Sequence, residues 1–422
     1  MTHKIYFLLA AVAALGLASP APSAQPIDPK VKARIDRILK RTPLIDGHND
    51  IAYALFENHE SSVANLADET EKWSKDALMT DIDRLREGRV GGQFWSVYID
   101  GTITGDEAVR RTIEQIDIVK RMIAAYPNDF QQALTARDIV RIHRKGRIAS
   151  LLGIEGGRQI GGSLPALRQF YDLGVRYMTL THNQSTEWAD SGTDEPKHNG
   201  LSPFGLKVVA EMNRLGMLID LSHVSPEVMR QAITASRAPV IFSHSSAGGV
   251  TPHPRNVPDD VLGLLKQHDG VVMITIVPGF ISQAVWDWSA NRAGEEARLA
   301  AIHRASKAKV EAGLEAWDAA NPRPQTDVRT IADHIEHVVR VAGHDHVGIG
   351  ADMDGIPFGT VDFDGVEDYP ALFAELIRRG WNDRDLAKFA GGNVLRVMGK
   401  AEAVSRSLSD QPAAMDVLAE AK

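Results

Sequence analysis

The chain has 422 residues, 44% hydrophobic and 24% charged, with 55 acidic against 47 basic side chains and a formal net charge of -8. That is the make-up of a globular protein of one large or two ordinary domains, and without a basic stripe it argues against nucleic acid as a partner. The sequence has no cysteine, which excludes disulfides, a thiol nucleophile and a thiolate metal site, so any metal has to be held by His, Asp and Glu.

In chain order, residues 1–24 read as a secretory signal peptide: Lys4, the apolar run IYFLLAAVAALGLA, then small residues around Ala21-Pro22-Ser23. The run is too short to span a bilayer comfortably. A secreted or periplasmic mature protein is expected, with cleavage near residues 21–24 and no stable membrane anchor afterwards. Within residues 25–400, strands are predicted at 44–48, 91–99, 148–154, 175–181, 217–222, 239–243, 271–277 and 346–351, with helical stretches between them such as 106–126, 203–215, 225–236, 258–268, 327–342 and 370–379. Ser202-Pro203 and Ser225-Pro226 supply a cap followed by a proline at the first helical position. Eight strand–helix units predict an α/β fold, a (β/α)8 TIM-type barrel, and runs apolar on both faces fit parallel strands covered by helices. An open doubly wound sheet has the same periodicity. Residues 283–325 lengthen the link between strands 7 and 8 and predict a helical insertion ended by Pro322 and Pro324; it is a surface elaboration, a lid or a subunit contact. Residues 401–422 are Ala-rich and predict a loosely attached helix or a disordered tail.

In such barrels chemistry sits at the C-terminal ends of the strands, and here those ends are polar. Strand one ends in His48 and Asp50, which at i and i+2 share a face. Further ends carry Glu155 in GIEGG, His182 in LTHN, His223 in DLSHVS, His244 in FSHSS and Asp352 in GADMDG. Burying so many ionisable groups together is costly unless a cation compensates. His48, Asp50, Glu155, His223 and His244 are the candidate ligands, enough for two ions if one carboxylate bridges. On chemistry alone, Asp50 and Glu155 are equally able to do so.

Other candidates carry less. His334 and His337 are read as exposed polar positions on the helix before strand eight, and His143, His198, His253, His268 and His303 as residues of polar helices or loops. His346 begins strand eight, the wrong end for catalysis. Asp354 could share the face of Asp352 but lies farther from the barrel rim. The stretch GIEGGRQIGG lacks both a Walker lysine and a dinucleotide fingerprint.

The stretches DGHNDIAY, GGQFWSVY, GIEGG, TLTHN with WADSG behind it, DLSHVS, FSHSSA, RNVPDD, GADMDG and GGNVLRV occur in order between residue 43 and about 399. In them the chain resembles the membrane dipeptidase (renal dipeptidase) family of the amidohydrolase superfamily. The resemblance implies a (β/α)8 barrel with two Zn2+ per chain, one on His48, Asp50 and Glu155 and the other on Glu155, His223 and His244, with Glu155 bridging. It places a substrate-contacting histidine at His182, a substrate-binding arginine at Arg255 and a catalytic aspartate at Asp352. The implied activity is zinc-dependent hydrolysis of dipeptides by a metal-bridging hydroxide, with His182 beside the carbonyl oxygen, Asp352 moving the proton and Arg255 on the substrate carboxylate. A homodimer would fit the family. The chain departs from the mammalian members, which use disulfides and a lipid anchor, and in its 283–325 insertion. The alternatives are another metal hydrolase on this scaffold (an N-acyl-amino-acid deacylase or a lactonase) and a non-catalytic periplasmic metal- or peptide-binding protein. Phosphotriesterase-like relatives would show His-x-His on strand one and a lysine on strand four, and this chain has neither.

Overall fold

Nine strands form one parallel sheet in a computed structural model that describes residues 26–67, 70–72, 77–304 and 306–418; the signal-peptide reading lies outside them. The strands are β1 (Leu44–Asn49), β2 (Val90–Tyr98), β3 (Phe130–Gln132), β4 (Ile148–Glu155), β5 (Val175–Thr179), β6 (Leu218–Asp220), β7 (Ile241–Phe242), β8 (Val271–Ile274) and β9 (Val347–Ile349). All but β3 close on themselves in the order β1-β2-β4-β5-β6-β7-β8-β9, with β9 returning to β1. This is the eight-stranded barrel with its surrounding helices. The unpredicted β3 pairs with Ile148–Ser150 at the start of β4, ahead of the stretch Leu152–Glu155 that pairs with β5. Three residues, FQQ, are too few to show a period.

Several strands are shorter than their apolar runs. At the ends of β6 and β7 a side chain replaces the ladder: the Asp220 carboxylate accepts the Ser222 and Ser243 N–H groups at 3.1 and 2.8 Å. Alternation along β2 fills both layers, Phe94 belonging to the core inside the barrel and Trp95 to the core under the helices. The bottom of the barrel is plugged by the helix Asn393–Ser407, through buried Val394, Val397, Met398 and Ala401. Beyond it the chain returns to the barrel, where the Leu418 N–H donates to Gly162 O at 2.8 Å. That segment, read from the sequence as loosely attached, is thus tied at two points.

The insertion forms a hairpin of two helices, Gln283–Ile302 and Lys307–Ala320, with only Val285, Leu299 and Leu314 buried. Arg292 pairs with Asp318 at 2.8 Å and Trp288 donates to Asn321 O at 2.7 Å, holding the two helices together. Among the described residues no helix is long and apolar enough to cross a membrane.

His334 and His337 are buried, not exposed. The helix Val328–Val341 turns them inward, where His334 accepts the Ala247 N–H at 3.0 Å and donates to Ile281 O at 3.1 Å, and His337 meets Asp259 at 2.6 Å. They tie the chain on either side of β8 to its neighbours.

Candidate metal centre

At the end of β1 the chain turns sharply. Asp46, fully buried, accepts the His48 N–H (2.9 Å), Gln93 Nε2 (2.7 Å), the Ala351 N–H (2.8 Å) and the Tyr369 hydroxyl (2.8 Å). One carboxylate therefore joins β1 to β2 and to the loop after β9, and fixes the backbone from which His48 projects. Asp50 opens the helix Ile51–Asn58, with its N–H on Met353 O at 2.8 Å. Asp352 in turn donates its N–H to His48 O at 3.2 Å. Asp352 and His223 hold φ of 69°, a left-handed conformation costly for a non-glycine residue. Such strain at two strand ends is sustained by what surrounds it, and it aims both side chains over the barrel mouth. Gly355 leaves room for the two carboxylates beside it: a Cβ there would sit 2.2 Å from Asp50 Oδ2 and 2.8 Å from Asp352 Oδ1.

The side chains converge on Glu155. His48 Nε2 lies 3.4 Å from Glu155 Oε2, 3.3 Å from Asp50 Oδ2 and 3.9 Å from Asp352 Oδ1. The other Glu155 oxygen, Oε1, lies 2.9 Å from His223 Nε2, 3.3 Å from His244 Nε2 and 3.8 Å from His182 Nε2. The carboxylate thus divides the cluster in two, one oxygen facing each half. The loop after β5 places His182: the Ser191 hydroxyl donates to His182 O at 2.7 Å and sits 3.3 Å from His223 O, so WADSG clamps two strand ends together.

The hydrogen-bond directions show what the cluster lacks. Ser243 gives its hydroxyl proton to Asp220 Oδ2 at 2.6 Å, so at 2.8 Å from His244 Nδ1 it can only accept. His244 therefore carries its proton on Nδ1 and presents a lone pair at Nε2. His223 Nδ1 lies 3.2 Å from Asn183 Oδ1, and a proton held there leaves Nε2 as a lone pair. These two Nε2 atoms are 2.9 Å apart and both face Glu155 Oε1. Three acceptors at that range repel one another unless a cation lies among them. On the other side, buried His48 Nε2 and Asp50 Oδ1 have no hydrogen-bond partner. These residues form groups of His, Asp and Glu close enough to hold a metal ion, and their N,O donors are of the kind that zinc accepts.

Burial sets the charges. It pushes His244 down to about 3 and, with help from Arg255, His223 well below the ordinary range, which keeps both imidazoles in the neutral ligating form. Burial opposes ionisation of Glu155, but the surrounding imidazoles, His48 and His182 foremost, outweigh it and hold the carboxyl well below its usual range. Asp352 goes the other way: burial, with the Asp50 and Glu155 charges adding, lifts it well above the usual carboxylate value. Arg255 is 3% exposed, and its Nε and Nη1 have no partner. Its Nη2 reaches only His244 O at 3.5 Å, and its guanidinium lies over the Phe280 ring at 5.3 Å. Burial lowers it to about 10, so it stays charged.

All seven residues singled out at the strand ends (His48, Asp50, Glu155, His182, His223, His244 and Asp352) therefore meet around one point, and Arg255 joins them from the loop after β7. Sequence reasoning did not single out Tyr177, whose hydroxyl lies 2.8 Å from His48 Nδ1, or Asp220 and Ser243, which set the His244 tautomer. It also passed over Tyr98, whose ring packs on His182 at 4.7 Å. An acid inside an apolar strand, as in LIDLS, was the available signal for Asp220. His253, set aside as a loop residue, packs against Phe280 at 4.4 Å and edge-on against Trp286 at 4.8 Å, beside Arg255.

Comparison with known proteins places the chain. The model of the family described as Membrane dipeptidase (Peptidase family M19) matches residues 32–412. Dipeptidase aclJ of Aspergillus oryzae is 42% identical over 391 residues, covering 90% of this chain and 83% of that protein. Dipeptidase 3 of Rattus norvegicus is 39% identical over 393 residues, 91% of this chain and 70% of that one. Among solved structures, the probable dipeptidase PvdM from Pseudomonas aeruginosa has a TM-score of 0.73 at 23% identity, over 89% of this chain and 99% of its own. A metallo peptidase from Rhodobacter sphaeroides, liganded with a phosphinate mimic of the dipeptide L-Ala-D-Ala, has a TM-score of 0.68 at 22% identity, over 86% and 99%. At those identities the two structures speak for a shared fold.

Proposed function

The chain belongs to the membrane dipeptidase family of metallopeptidases, and from that premise we propose that it is a dipeptidase working with two zinc ions. The reading rests on Glu155, whose two oxygens face His48 on one side and His223 and His244 on the other, a set of donors that bound cations would reconcile. His48, Asp50 and Glu155 would hold one ion, and Glu155, His223 and His244 the other. Bound there, the ions would bring a water molecule's pKa down towards about 7 and polarise the scissile carbonyl.

The protein's own groups do the rest. Asp352 sits 3.9 Å from His48 Nε2 with its pKa raised, which suits a group that takes a proton from the attacking water and returns it to the leaving amine. Burial lowers the pKa of His182, so at neutral pH it is an uncharged N–H donor, placed to hydrogen-bond the carbonyl oxygen as charge builds on it. Arg255, charged and with donors to spare, would hold the carboxylate of the substrate's second residue. That limits good substrates to short peptides with a free carboxylate next to the scissile bond.

The test is a panel of dipeptides, N-acetyl amino acids and lactones offered to metal-loaded protein. Release of amino acids from dipeptides supports the proposal. Turnover confined to the N-acetyl amino acids or the lactones overturns it. Residues 1–24 support export of the mature protein, which N-terminal sequencing of the secreted form would check.

A further inference from the structure

Next to the metal centre lies a cleft of about 140 Å³ to which neither the ligands nor the groups assigned to the chemistry give a task. Tyr53, Phe56, Tyr98, Ile99 and Ile103 line it, together with the polar Glu57, Asp100, Arg111 and Gln115. At that size it holds one amino-acid side chain rather than a whole small molecule. Tyr98 connects it to the reaction centre: one flank of the ring packs against His182 at 4.7 Å and the other against Tyr53 at 4.7 Å.

The position across the barrel says which part of a substrate it would meet. Tyr98 ends β2, and Arg255 follows β7. In the closed order β1-β2-β4-β5-β6-β7-β8-β9 those two strands are four steps apart in either direction, so they face each other across the mouth. With the substrate carboxylate on Arg255, the first residue of the dipeptide points towards Tyr98.

Gln115 says what that residue should carry. It is 2% exposed, and its Oε1 has no hydrogen-bond partner. Of the charged residues in its wall, Arg111 pairs with Glu107 at 3.0 Å and with Glu114 at 3.3 Å, Asp100 accepts the Thr102 N–H at 2.8 Å, and Glu57 adds a second acidic group. An unmet amide oxygen favours a side chain that ends in a hydrogen-bond donor, because an apolar one of the same length leaves the oxygen unpaired. We infer that this cleft receives the side chain of the substrate's amino-terminal residue and that Gln115 selects long side chains ending in a hydrogen-bond donor there. The inference rests on the dipeptidase reading and goes beyond it.

The experiment compares kcat/KM of the zinc-loaded enzyme on L-glutaminyl-L-alanine, L-methionyl-L-alanine and glycyl-L-alanine. Glutamine and methionine have similar length, and only one carries the amide. The wild type should favour the glutaminyl over the methionyl substrate by about tenfold, and Gln115→Leu should abolish that preference. A preference in Gln115→Leu equal to that of the wild type overturns the inference, as does a wild type with no preference. Should Gln115→Leu fail to fold, Ile103→Trp fills the cleft from its wall. It should depress both long substrates about tenfold relative to glycyl-alanine, and an unchanged ratio overturns the inference. Wild-type enzyme that hydrolyses glycyl-alanine but shows neither effect removes the cleft assignment alone. Enzyme that hydrolyses none of the three removes the dipeptidase reading and this inference together.

Discussion

Replacing Arg255 with alanine should separate substrates by their C-terminus. The guanidinium is 3% exposed and has two N–H-bearing nitrogens, Nε and Nη1, without partners. A substrate carboxylate would engage about two of its donors. Hydrogen bonds to charged groups contribute about 1.5–3 kcal/mol each, so the loss is about 3–6 kcal/mol. At ~1.4 kcal/mol per decade that is about 10²–10⁴ in kcat/KM for a free-acid dipeptide. The same dipeptide with an amidated C-terminus has no charge to lose and should fall far less. The fold should survive, since Arg255 makes one long bond, to His244 O at 3.5 Å. Arg255→Lys should recover only part of the loss, because an ammonium is a point donor where the guanidinium is a planar one. Steady-state kinetics on paired acid and amide substrates measures all of this. Equal losses on both would refute the carboxylate assignment and move weight to the deacylase and lactonase alternatives.

Asp352→Asn keeps the shape but cannot take a proton; kcat should fall by about 10²–10⁴ with KM little changed, and an equal change in KM alone would mean that Asp352 binds rather than moves protons. Elemental analysis of protein never exposed to chelator should find two divalent ions per chain, and Glu155→Gln should lower metal content more than any other single ligand change, because Glu155 faces both halves of the cluster. For pH, the histidine away from the metal is the clean probe. Burial lowers His334 from 6.5 to about 4, so below 6.5 the unfolded chain binds a proton that the folded one does not. This histidine therefore stabilises fully above pH 6.5, by about 3 kcal/mol at most, and loses that contribution as pH falls towards 4. In urea titrations the advantage of wild type over His334→Asn should narrow across that window, and a gap independent of pH would refute the assignment. Trp286 at the root of the insertion leans on His253 at 4.8 Å, beside Arg255, so excising residues 283–325 and joining Ser282 to Thr326 should raise KM for free-acid dipeptides or change the oligomeric mass; no change in either would leave the hairpin a surface decoration.

The sequence by itself carried the barrel and the chemistry-bearing side chains. A parallel barrel is periodic and local: each apolar run marks a strand, and the polar residue where the run stops marks the mouth. His48, Glu155, His182, His223, His244 and Asp352 stand at such ends, and the structure brings them together. What remained hidden depends on contacts between distant parts of the chain. Whether Asp50 or Glu155 lies between the two halves was open on chemistry, and closure of the barrel put Glu155 there, at the end of β4 between His48 on one side and His223 and His244 on the other. The lone pair on His244 Nε2 comes from Asp220 through Ser243, two strands meeting side by side. His334 and His337 look polar and exposed in ADHIEHVV, yet they are buried because chain from either side of β8 packs over their helix. Arg255 is an ordinary loop arginine in sequence, and burial under Phe280 beside His244 makes it a charge in want of a partner. Local pattern reports which face of an element is apolar; only closure of the sheet decides what each polar group then finds opposite it.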